Sequence, residues 1–453
     1  MGLPDFCFLL SHPLNQQGIA LQSEGISAFT DITSMLPNLI VVLYALLPVA
    51  LLTSASLPSG VFYALIAASL ALLVQKRFAG AAEQTYRYRW LIASYSVLFL
   101  SVAVSSIYYG DWAGANSEGA LRFFLGLWVL LLALPHINPQ KLKHSLWGVL
   151  IAGLVSTIIL LSLIASGNPR PLTPGLILTT YSSIMLLLGA ISVYALKWQL
   201  TPWPKSEGFL KVLVALATFA AFIFAQTRTG LLGLPLFIVL GVAVFVGLKR
   251  WARAVTVVAI ACAIMLAIVF SNDALRGRIA VGISEVVACK TEEGYAFSSM
   301  CIRIQLWQSA LEAGVTHPWV GLGDGGRYGD YLEHTALPKG LVAQSTVDIY
   351  FGEPHNDVLL MLAAFGLPGA IGLLLIYFAP CFYFLPRLLG KEVPTGTRAA
   401  AAMGLAVCLG FFLFGLPETM FRRMNTMGFY VAFVALFVVM TDYRIASKRC
   451  RYN

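Results

Sequence analysis

The chain has 453 residues, 58% of them hydrophobic and only 11% charged, with a mean hydropathy of +0.80. Soluble domains run at roughly 45–50% apolar and about 25% charged, so this composition excludes a water-facing globule and predicts an all-α, polytopic membrane protein. The net charge of +9 needs no nucleic-acid partner, because its placement along the chain accounts for it.

Apolar runs fall at about 36–52, 58–74, 90–107, 120–135, 146–166, 174–196, 209–226, 229–248, 254–271, 357–378, 399–416 and 424–440. A span needs about 20 apolar residues, so these predict about twelve transmembrane helices, a few of them short. Between them sit basic clusters: Lys76, Arg77, Arg87 and Arg89; Lys141 and Lys143; Lys197, Lys205 and Lys211; Lys249, Arg250 and Arg253; Arg387, Lys391 and Arg398; and Arg444, Lys448, Arg449 and Arg451. They occupy alternate connections, the positive-inside pattern, which puts both termini in the cytoplasm. Residues 1–34 hold no Lys or Arg, so no secretory n-region is visible.

The expected organisation is an N-terminal bundle of about nine helices over 1–271, a large outer loop over 272–355, and about three helices with a tail over 356–453. Connections as long as that loop are usually functional or structured. Within it, Ile304, Trp307, Ala310 and Leu311 of "RIQLWQSALEAG" recur at helical spacing, which fits a helix on the membrane surface or one packed on the bundle. Cys289 and Cys301 are the two cysteines in the loop. On an oxidising face they are disulfide candidates, worth about 3 kcal/mol by loop entropy, against two unpaired thiols.

Ionisable residues are nearly absent from the spans: Arg122 and Asp357 sit at outer edges, and Lys211 can reach the inner one. A coupled transporter holds such groups at mid-membrane, so chemistry is expected at the outer face. His317, His334 and His355 share the loop, with no HxH or HxxxH spacing, and no Asp-x-Asp pair occurs. No metal site and no cofactor are predicted. "GLGDGG" fits GxGxxG through Gly321, Gly323 and Gly326, but outside a strand–helix unit it reads as a glycine turn. Arg228 in "TRTGLL" falls in a short outer hairpin, where it can anchor at the interface or grip phosphate with its planar fork.

"HNDVLLMLAAFGLPG" places His355 and Asn356 nine residues before Gly366, with Gly369 two further on. Together with Arg228-x-x-x-Leu232 this resembles the lipopolysaccharide O-antigen ligases of the O-antigen ligase/polymerase superfamily. The sharp motifs lie between about 226 and 372; the first six spans match only in hydrophobicity. The resemblance implies about twelve spans, a large periplasmic loop, and an essential loop arginine placed at Arg303, with Arg276, Arg278 and Arg327 as competitors. It implies transfer of a glycan from undecaprenyl diphosphate to lipid A–core at the periplasmic face of the inner membrane. His355 would be the base, and Arg228 and Arg303 would stabilise the leaving diphosphate. Arg122, Arg170, Arg422 and Arg423 are expected to contact substrate phosphates. Asn356 and Asp357 read as helix caps, and Gly366 and Gly369 as close-packing positions against a neighbouring span.

The nearest rivals share this chemistry: an O-antigen polymerase or a protein O-oligosaccharyltransferase. A lipid-linked glycan flippase would not need His355 as a base. A peptidoglycan glycosyltransferase would rely on a loop carboxylate, with Asp324, Asp330 and Asp348 to test.

Overall fold

A computed structural model describes residues 23–449 apart from 112–114, 168–169, 247–250, 272, 292–293, 296, 324–325 and 350–351. Among the described residues, ten helices are long and apolar enough to cross a membrane. The first seven are α1 (Met35–Thr53), α2 (Leu57–Gln75), α3 (Arg89–Tyr109), α4 (Ser117–His136), α5 (Pro139–Ala165), α6 (Leu178–Lys197) and α7 (Pro204–Ala225). Two apolar runs expected as spans give the shorter apolar helix α8 (Thr229–Phe245) and α9 (Trp251–Ser271), whose apolar described stretch is Val255–Ile264. The chain is therefore a multi-pass α-helical membrane protein.

The long connection holds α10 (Asp273–Val287) and α11 (Ser299–Thr316), followed by short helical segments over Arg327–Tyr331, Leu332–Ala336 and Gln344–Asp348. The three remaining long helices follow: α12 (Asp357–Leu389), α13 (Thr395–Gly415) and α14 (Met424–Asp442). Among the described residues the only strands are Lys290–Thr291 and Gly294–Tyr295, a two-residue antiparallel pair between α10 and α11. Cys289 and Cys301 flank this pair and are bridged, with their Cα atoms 5.0 Å apart.

The best-buried helices are α6, α13 and α14, and α12 packs on both α3 and α13. Lys211 does not reach for an interface. It is buried, paired with Glu207, and donates to the Ala195 and Trp198 carbonyls at 2.8 and 2.7 Å. A buried lysine needs such partners to stay charged.

α11 packs on α12, which decides between the two expectations for the loop helix. Its buried face is Leu306, Ala310 and Ala313, while Leu311 is exposed. Of the face expected from spacing, only Ala310 is buried, because the partner is a helix and not the lipid surface.

α12 breaks at Gly366, where φ is 66° and ψ −162°. The freed backbone groups are taken up by the segment after α11: Leu322 N–H donates to Ala363 O at 2.8 Å, Gly323 N–H to Ala364 O at 2.9 Å, and Leu367 N–H to Pro318 O at 2.8 Å. A Cβ at Gly366 would strike the Pro318 carbonyl, and one at Gly321 the Ala364 backbone. Gly321, Gly323 and Gly326 of the glycine run are all left-handed, and its first residues dock on the helix break. Gly366 makes room for this loop and not for a neighbouring span, while a Cβ at Gly369 would meet its own helix at Phe365 and Met361. That corrects the close-packing role expected for the pair. Gly366→Ala combines a backbone strain of roughly 1–3 kcal/mol with a clash. A lowered Tm in detergent is expected; a melt equal to the wild type would show that the break is not needed.

Candidate active site

The sequence after Pro354 builds a clasp. His355 has a left-handed φ of 51°, uncommon for a residue with a Cβ and therefore a sign of a conformation held from outside. What holds it is the turn between α13 and α14. His355 Nδ1 lies 2.9 Å from Glu418 Oε1, Asn356 Nδ2 donates to Leu416 O at 2.8 Å, and Asp357 accepts the Met420 and Phe421 N–H groups at 3.1 and 3.0 Å. Three consecutive residues thus grip one turn.

Asn356 also caps α12, accepting the Leu359 N–H at 3.0 Å. Asp357 does more than cap. It is buried and accepts the Tyr377 hydroxyl at 2.7 Å, so it joins the turn to the ring cluster of Tyr377, Phe421, Phe411 and Tyr430 below. The carboxylate on the imidazole is Glu418, a residue that the sequence reading did not single out.

Glu418 connects the site. Its Oε2 accepts Arg303 Nη2 at 3.3 Å and the Thr179 hydroxyl at 3.1 Å, and only 2% of its side chain is exposed. Burial alone would raise the carboxyl, but the His355 hydrogen bond and the Arg303 charge outweigh it and hold the group below the usual carboxylate range. A depressed carboxylate stabilises the fold above its unfolded value. That contribution is lost only as the pH falls through the lower folded value, so these links persist at neutral pH. Glu353 forms a second arm: it lies 3.8 Å from His355 Nδ1, pairs with Arg422 Nη1 at 3.0 Å, and accepts the Thr419 hydroxyl.

The structure brings Arg228 and Arg303 to one cavity of about 420 Å³, shared with Pro417 beside Glu418. Arg228 follows the left-handed Gln226 that ends α7. Burial lowers its guanidinium, Glu285 opposes this, and the like charges of Arg303 and Arg170 add to the lowering. Two cations are therefore held close together, as a polyanion site requires. Apart from Thr229, the rest of the cavity wall is largely apolar, with Ile279, Ile283, Val286 and Val287 from α10 and Met300 and Trp307 from α11.

Other sequence candidates sit elsewhere or are engaged. Arg122 is buried and donates to Met424 O at 2.7 Å, Glu118 at 2.8 Å and Ser59 at 3.2 Å, a structural anchor. Arg423 donates to the Gly175 carbonyl, and Arg170, Arg422 and Arg423 are exposed. Among the competing loop arginines, Arg276 pairs with Asp273 at 2.8 Å in solvent and Arg327 lies 4.2 Å from the Tyr109 ring; the Arg278 side chain lies outside the described residues. The loop carboxylates Asp330 and Asp348 are exposed, and Asp348 accepts from Gln344 at 2.9 Å. Asp324 lies outside the described residues.

Glu353, His355 and Glu418 each offer one ligand atom within 4.8 Å of the others, so a cation is a formal possibility. Their oxygens are matched instead by Arg303, Arg422, Thr179 and Thr419. The two guanidiniums supply the countercharge that an ion would bring, so the donor set suits a hydrogen-bonded base better than a metal.

An imidazole that donates its Nδ1–H to a carboxylate can take a proton at Nε2, and the carboxylate then stabilises the imidazolium. Glu418→Gln, which offers an amide in place of the anion, is expected to lower kcat by about 10²-fold or more. The measurement is kcat at saturating donor, with Tm as a control; an unchanged kcat would remove this role.

Residues 212–374 match a family described as O-antigen ligase. This stretch runs from α7 into α12 and contains Arg228, Arg303 and His355; Glu418 lies beyond it. The chain is also similar to an uncharacterized protein of Haemophilus influenzae, 25% identical over 321 residues, covering 69% of this chain and 77% of that protein.

Proposed function

We propose, on the premise that the chain belongs to the O-antigen ligase family through its 212–374 domain, that it transfers O-antigen from undecaprenyl diphosphate to a sugar hydroxyl of lipid A–core. The observation that carries this reading is the joining of His355 to Arg303 through Glu418, with Arg228 across the same cavity. The cavity pairs two cations with an apolar wall, which suits a diphosphate carrying a polyprenyl chain.

In the proposed reaction the acceptor hydroxyl attacks the anomeric carbon while its proton passes to His355 Nε2. The bond from that carbon to the diphosphate oxygen breaks, and the new negative charge falls on the leaving undecaprenyl diphosphate. In this reading Arg228 and Arg303 stabilise that charge more in the transition state than in the ground state. One direct displacement inverts the anomeric centre, and no metal is required. The active site then faces the periplasm, and both termini the cytoplasm.

Exposed Arg170, Arg422 and Arg423 are assigned to phosphates of the anionic acceptor. Reversing Arg170 or Arg422 to Glu is expected to raise the acceptor KM several-fold; unchanged donor and acceptor KM values would withdraw the assignment.

The test of the whole reading is transfer by the purified chain in detergent, with undecaprenyl-diphosphate glycan, O-antigen-free lipopolysaccharide and EDTA. A lipopolysaccharide ladder is expected. Extension of the lipid-linked glycan without a ladder would indicate a polymerase, and glycan on Ser or Thr of an added protein would indicate an oligosaccharyltransferase.

A further inference from the structure

α10 holds two glycines, Gly277 and Gly282, inside a helix of 15 residues. A helix interior disfavours glycine, so each invites a reason. At Gly277 a Cβ would meet nothing within 4 Å. At Gly282 it would collide with Arg228 Nη1 and stand 3.2 Å from Cζ and 3.9 Å from Nη2. The backbone of Gly282 is helical, so no left-handed angle calls for glycine there. What the position supplies is the absence of a side chain under the Arg228 guanidinium.

The same helix is also fixed against Arg303. Glu285 accepts the Met300 N–H at 3.3 Å, and the Cys289–Cys301 bridge closes just beyond α10 and two residues before Arg303. α10 therefore touches one arginine through Gly282 and holds the first turn of α11, which carries the other. Both arginines and Gly282 line one cavity.

We propose that Gly282 is a positioning residue for Arg228: it lets the guanidinium lie against α10, at the separation from Arg303 that the donor diphosphate bridges. The inference rests on the donor reading above and deepens it. A long flexible side chain yields before a helix does, so a Cβ at this position displaces Arg228 and leaves the fold intact.

The experiment compares the full-length wild type with Gly282→Ala and Gly277→Ala, measuring kcat, donor KM, acceptor KM, Tm and binding of undecaprenyl diphosphate itself. Gly282→Ala is expected to lower kcat over donor KM by about 10-fold or more, with acceptor KM unchanged and Tm equal or higher. Gly277→Ala is expected to match the wild type kinetically. Arg228→Lys, which lacks the displaced Nη1, is expected to cost less in the Gly282→Ala background than in the wild type. Wild-type kinetics for Gly282→Ala, equal losses from both glycines, or a loss accompanied by a lowered Tm would each overturn the inference alone. A wild type that neither binds undecaprenyl diphosphate nor transfers glycan would overturn the donor reading, and this inference with it.

Discussion

His355→Asn is expected to abolish glycan transfer, by about 10³-fold, while leaving donor binding and Tm close to the wild type. Asparagine suits this test better than alanine. It tolerates the left-handed backbone at this position, so the clasp between Asn356, Asp357 and the 416–421 turn is kept. An amide has no basic nitrogen, so under the proposed mechanism the acceptor hydroxyl would have nothing to take its proton. Transfer at saturating donor and acceptor is the readout, beside undecaprenyl diphosphate binding. Retained transfer would make His355 a structural link from α12 to Glu418. Joint loss of binding and Tm would say the same.

The residues explain which parts of this site were legible in the sequence. Arg228 and His355 stand at the edges of apolar runs in a chain where charge is scarce, and scarcity makes each such residue informative. Glu418 has the same signature, an acidic residue in the short "LPETM" turn between two runs. It was missed because its meaning depends on His355, 63 residues away, and a single sequence gives no sign of that pairing. Ten of the twelve expected spans were legible among the described residues, because hydropathy alone sets them. The break in α12 was not, since Gly366 sits in an uninterrupted apolar run and its partner, the turn after Pro318, belongs to the loop. The face of α11 was misread for a related reason. Periodicity finds apolar residues, whereas close packing on α12 is made largely by small ones, Ala310 and Ala313, with Leu306.

Arg228→Ala is the second large effect expected, a loss of about 10²–10³-fold in transfer. Its guanidinium sits with Arg303 on the cavity beside Glu418, but the two arginines differ in what else they do. Arg303 also pairs with Glu418 at 3.3 Å, so under the proposed mechanism its removal would disturb the proposed base as well as the proposed diphosphate site. Arg228 lies on the far side of that link, against Gly282 of α10. Its removal should act on the leaving group and spare the histidine. The pH dependence of transfer should therefore keep its wild-type shape in Arg228→Ala, at a lower level, and change shape in Glu418→Gln. Arg228→Lys should recover only part of the loss, because an ammonium lacks the planar fork that grips two phosphate oxygens at once. Kinetics across pH for the three variants, with acceptor KM measured alongside, decide the matter. Full activity in Arg228→Lys would reduce the role to simple charge, and full activity in Arg228→Ala would remove Arg228 from the diphosphate site altogether.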